Sequence, residues 1–115
     1  MAEPRSQGPD FYCAEVLSGR TPVQVAVESD GVPGFHQPRP RWPVHIVVIP
    51  KRHVESLIAL DASGTELLVE MVGVIREIAE RIVAEHGGCR VIANLGDYQT
   101  NKHLRWHVVS DSTLM

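Results

Sequence analysis

Residues 63–88, "SGTELLVEMVGVIREIAERIVAEHGG", decide the fold. Leu68, Met71, Val72, Ile75, Ile78, Ala79, Ile82 and Val83 recur at helical spacing along one face. Ser63 with Glu66 fits a capping box at the start, and Gly87 and Gly88 supply the stop. A long amphipathic helix of this kind needs an apolar surface to lie on. The flanking segments supply strands that can make one. "PVQVAVESDG" (22–31) alternates Val23, Val25 and Val27 and ends on a turn signal, as a strand entering a hairpin does. "PVHIVVIPKRH" (43–53) is a β-branched run with His45, Val47 and Ile49 on one face and Val44, Ile46 and Val48 on the other. "CRVIANLG" (89–96) and "HLRWHVVS" (103–110) read as two more strands, joined by the polar loop "DYQTNK". "DFYCAEVLSGR" (10–20) reads as a short helix stopped at Gly19. "VPGFHQPRPRWP" (32–43) is too rich in proline for a central strand, apart from a few residues around Phe35. The expectation is an α+β fold, an antiparallel sheet of about five strands under one main helix with a short N-terminal helix.

The chain has 115 residues, the size of one domain. Residues 1–9 read as a disordered lead, 10–110 as the domain and 111–115 as a short tail. A net charge of −3 gives no global field directed at nucleic acid or an anionic membrane, so any phosphate recognition is local. No segment approaches the roughly 20 apolar residues a membrane-spanning helix needs. Cys13 and Cys89 lack C-x-x-C spacing and read as small hydrophobes, which suits a reducing cytoplasm.

The chemistry concentrates in "NKHLRWHVV" (101–109). Residues two apart on a strand share a face, so His103, Arg105 and His107 form a polar row while Leu104, Trp106 and Val108 face a core. His45 lies on a neighbouring strand, and Asn94, Gln99, Thr100 and Asn101 make a loop rich in amides and hydroxyls. Arg39, Arg41 and Arg52 stand near the expected pocket mouth, where they could attract a polyanion. The bland alternatives are satisfied strand histidines and a solvent-facing arginine. His36 and His86 read as surface or helix-end residues, and His53 as capping a turn.

"FHQPRPRWPVHIVVIPKRH" resembles the F-H-D-x-x-P-x-x-P-x-H-x-x-V-I-P-K-x-H block of the histidine triad (HIT) family, close to its Hint branch. "NLGDYQTNKHLRWHVV" is similar to that family's N-x-G-x-x-x-Q-S-x-x-H-φ-H-φ-H-φ-φ, and "VLSGRTP" to its I-I-x-G-E-I-P entry. The likeness runs from Phe11 to Val109. It implies a HIT-like fold, a homodimer and a site for a nucleotide. In the family the central histidine attacks the α-phosphorus to form a nucleotidyl-imidazole. His103 matches the first histidine and His107 the last, and Arg105 stands where the nucleophile belongs. A guanidinium stays protonated and has no lone pair for phosphorus. Gln37 likewise replaces the acidic residue that binds the ribose hydroxyls, losing a charge-assisted clamp. The resemblance assigns His45 as the further active-site histidine, Asn94, Gln99 and Thr100 to the phosphate and leaving group, and Val16, Phe35 and Cys13 to the base pocket. Some relatives hold zinc through C-x-x-C with histidines equivalent to His53 and His103. Here Cys13 is one residue out of register with that pattern, so neither metal nor cofactor is expected.

Three functions follow. The first is a HIT-fold protein that binds a small anion, such as a purine nucleotide, with Arg105 as a permanent anion clamp and no covalent catalysis. The second is a hydrolase or transferase with a changed mechanism, His107 or His103 serving as general base and Arg105 stabilising negative charge. The third is a ligand-free structural dimer built on Val72, Ile75, Val91 and Ile92.

Overall fold

The computed structural model describes residues 16, 17, 19 and 22–111. Strands β1 (Val25–Glu28), β2 (Pro33–His36) and β3 (Val44–Val48) precede helix α1 (Thr65–His86), and β4 (Arg90–Ile92) and β5 (Trp106–Ser110) follow it. The sheet runs β1-β2-β3-β5-β4 with every neighbouring pair antiparallel. The α+β architecture expected from the sequence is therefore present. The lead 1–9, most of the N-terminal helix expected at 10–20, and tail residues 112–115 lie outside the described residues.

Helix α1 covers one face of the sheet. Its buried side chains are Met71, Val74, Ile75, Ile78 and Ile82, a stripe at 3.6-residue periodicity. They pack on Ile46 and Val48 of β3, Val108 of β5 and Leu104. Trp106 joins this core and donates its indole N–H to Met71 Sδ at 3.4 Å. The helix lies close to the hairpin: a Cβ on Gly34 would fall 2.7 Å from Ile78 Cδ1 and 3.1 Å from the Val27 carbonyl. Glycine is what permits this approach. At the helix end Gly87 takes φ 91°, and its N–H bonds the Val83 carbonyl at 2.9 Å.

Several local expectations change. The Ser63–Glu66 capping box does not form. Asp61 instead accepts from the Ser63 N–H at 3.0 Å and Ser63 Oγ at 2.6 Å, initiating a 3₁₀ turn that leads into α1 with Gly64 at its N-cap. Val72 and Val83, read as core, are half exposed, because the sheet covers a narrower arc of the helix than its apolar face offers. Pro33–His36 forms an internal strand between β1 and β3, with Pro33 at its first residue, where a missing N–H is tolerated. The strand regions at 89–96 and 103–110 shorten to Arg90–Ile92 and Trp106–Ser110.

Candidate functional site

The sheet face opposite α1 carries the site. Pleat alternation turns His45 and Val47 of β3 away from Ile46 and Val48, and turns His107 of β5 away from Trp106 and Val108. The β3–β5 register pairs His45 with Val109 and Val47 with His107, so the two imidazoles are diagonal neighbours on one face. His45 Nε2 and His107 Nδ1 are 2.8 Å apart.

A third contact fixes the protons. The Arg41 main-chain N–H donates to His45 Nδ1 at 3.2 Å. A peptide N–H only donates, so His45 Nδ1 is an acceptor and the ring carries its proton on Nε2. That proton points to His107 Nδ1, which must accept it, and His107 therefore holds its own proton on Nε2. Both rings are neutral in this arrangement. Burial holds the His45 pKa below its ordinary value, with the Arg41 guanidinium adding to the effect. Burial likewise lowers His107, to about 4, with further contributions from Arg105, His45 and Arg41.

Arg105 precedes β5, its side chain buried and anchored by Nη2 to Thr100 Oγ1 at 2.9 Å and by Nη1 to the Asn101 carbonyl at 3.2 Å. A cleft of about 400 Å³ opens over these groups. It brings together His45, His107, Arg105, Asn94, Thr100 and Gln37, which the sequence singled out. Arg39 and Arg41 also line it, and among the described residues no carboxylate does. Trp42, Tyr98 and Ile92 line it too and were not anticipated. Nothing in local sequence marks them, because Trp42 and Tyr98 reach the cleft through the folding of two connecting segments and Ile92 through the pairing of β4 with β5. Trp42 packs edge-on against His45, with ring centroids 5.0 Å apart.

Four expected site residues lie elsewhere. His103 is fully buried with Nε2 2.9 Å from the Pro50 carbonyl, so it does not continue the row into the cleft. It precedes β5, outside the ladder whose pleat would have aligned it with His107. Gln99 is buried and donates its amide to the Glu55 carbonyl. Val16 and Phe35 sit in a closed apolar cluster with Val47 and Ile49, and Phe35 has no exposed surface. Cys13 lies outside the described residues. Arg52 does not line the cleft and lies near Asp61 and Gly64 of the turn preceding α1.

Comparison with known proteins closes the question of kinship. The family described as "Scavenger mRNA decapping enzyme C-term binding" matches residues 12–115. A 13.2 kDa HIT-like protein of Azospirillum brasilense is 30% identical over 115 residues, covering 96% of this chain and 93% of its own. This chain belongs to the histidine triad family. Among solved structures, a histidine triad protein from Clostridium difficile is similar to this HIT chain, at a TM-score of 0.76 and 29% identity over 100% of this chain and 97% of that one. A zinc-bound histidine triad family protein from Mycobacterium smegmatis matches with a TM-score of 0.77 and 28% identity, over 90% of this chain and 76% of its own. Among the described residues of this HIT protein, no three His, Cys, Asp or Glu side chains group to hold a metal ion. His53 and His103 stack edge to face at 5.2 Å, and His103 Nε2 lies 2.9 Å from the Pro50 carbonyl. No helix among the described residues is long and apolar enough to cross a membrane.

Proposed function

We propose that this HIT protein binds a nucleotide or similar small phosphorylated anion without covalent nucleotidyl transfer. The observation that carries the reading is the relay from Arg41 N–H through His45 to His107, beside the Arg105 guanidinium. It leaves the cleft with a protonated His107 Nε2 and a permanent cation, both donors suited to phosphate oxygens. Asn94 and Thr100 add polar contacts, and the cleft volume lies in the range usual for small-ligand sites.

The same relay weighs against the enzymatic alternative. For His107 to serve as general base at Nε2, both imidazoles must change tautomer, and His45 Nδ1–H would then face the Arg41 N–H. Arg105 has no lone pair to replace the missing nucleophile. Dimerisation remains part of this proposal. Val72 of α1 and Val91 of the edge strand β4 are 50% and 47% exposed, and a second copy could cover them.

Calorimetric titration with AMP, GMP and inorganic phosphate, with an adenosine phosphoramidate turnover assay on the same sample, tests the reading. Binding without turnover is expected. Turnover in the wild-type protein would overturn the non-catalytic assignment, and absence of binding by all three ligands would overturn the anion assignment.

A further inference from the structure

We infer that the cleft selects a dianionic phosphoryl terminus, a phosphomonoester or free phosphate, over a singly charged phosphodiester, and that Arg41 together with Arg105 sets this preference. The inference rests on the anion-binding function proposed above and names its ligand class.

Among the described residues the charge around the cleft is one-sided, although the whole chain carries a net −3. The described titratable and charged side chains lining it are Arg39 and Arg41 from the β2–β3 loop, His45 from β3, Tyr98 from the β4–β5 connection, and Arg105 and His107 at β5. Three of the six are guanidiniums and none is acidic. Because β3 and β5 are antiparallel, Arg41, three residues before β3, and Arg105, one residue before β5, approach from opposite ends of the paired strands. Both act electrostatically on His107. An anion at His107 Nε2 thus meets a cation from either end of the strand pair. The main chain of Arg41 donates to His45 Nδ1, and its side chain lines the cleft that holds the relay.

Two permanent cations at one donor favour a ligand with two charges. A phosphomonoester carries its second charge above a pKa near about 6. A phosphodiester has no second ionisable oxygen and never acquires it. Selection for the second charge therefore separates the unsubstituted terminus from substituted phosphoryl groups of the same size.

The test compares AMP with its 5′-methyl phosphate ester by calorimetry at pH 7.5 and pH 5, in wild type and Arg41→Gln. Protonation of the protein common to both ligands cancels in the ratio of their affinities. In wild type AMP should bind at least tenfold tighter than the methyl ester at pH 7.5, and this ratio should fall about tenfold at pH 5 as the second charge is lost. Arg41→Gln, a change at an exposed loop position, should collapse the ratio while the methyl ester still binds. A ratio near one at both pH values, with AMP still bound, overturns this inference and leaves the anion-binding function standing. A ratio preserved in Arg41→Gln overturns the assignment to Arg41. Binding of neither ligand overturns both proposals.

Discussion

Arg105→Gln isolates the charge that the proposed function places at the anion site. Glutamine retains hydrogen-bonding capacity near Thr100 and Asn101, whose contacts with the guanidinium are 2.9 and 3.2 Å, and removes only the cation and its fork. At an effective dielectric near 20, a guanidinium and one phosphate charge about 4 Å apart attract by about 4 kcal/mol. Desolvating both groups offsets part of that gain. A net loss of about 2 kcal/mol, typical of a hydrogen bond to a charged group, is expected. This corresponds to about a 30-fold rise in Kd for AMP and for inorganic phosphate alike. A second readout needs no ligand. Arg105 is the largest contributor after burial to the low pKa of His107, so in the variant that imidazole should titrate above about 4. Burial, His45 and Arg41 remain and should keep it below its ordinary value. Calorimetry gives the first quantity and histidine ring NMR the second. A phosphate Kd within about threefold of wild type, with an unmoved His107 titration, would refute the placement of this guanidinium at the anion site.

Three further outcomes are expected. Arg105→His places an imidazole two residues before His107 and should raise adenosine phosphoramidate hydrolysis above the wild-type level; no gain in single-turnover assays would mean that the pocket does not support an imidazole nucleophile at this position. Because His107 has a folded pKa of about 4 against an ordinary 6.5, the unfolded chain binds more protons between these values, and stability should fall as pH drops through that window. The loss is about 2 kcal/mol once solvent screening at a cleft-lining ring is allowed for, and urea unfolding of His107→Gln at pH 7 and pH 4.5 should show a flatter dependence than wild type. Gly34→Ala should cost about 1–3 kcal/mol in the same assay, because the Ile78 methyl can rotate away from the new Cβ but the Val27 carbonyl at 3.1 Å cannot; unchanged stability would show that the hairpin and α1 can separate freely.

Periodicity made the main elements legible. The repeat from Leu68 to Val83 specified a helix, and the alternation in "PVHIVVIP" and "WHVV" specified two strands, because the burial that stabilises each element also imposes its period. His107 was legible as a polar strand residue opposite a core face for the same reason, whereas its pairing with His45 follows from the β3–β5 register. The helix start was read incorrectly because Ser63 is chemically suited to capping, yet Asp61, two residues earlier, takes its N–H and hydroxyl.

By itself the sequence determined the α+β class and the family motifs, since each depends only on residue type and spacing. Tertiary structure alone decided which polar residues share the cleft. It moved His103 onto the Pro50 carbonyl and Gln99 onto Glu55, closed Phe35 into an apolar cluster, and brought Trp42 and Tyr98 to the cleft. It also decided the protonation of His107, because a tautomer follows from which atom donates to which ring nitrogen. That contact joins Arg41 to His45 and then His45 to His107 across 62 residues of chain, a separation no local pattern can encode.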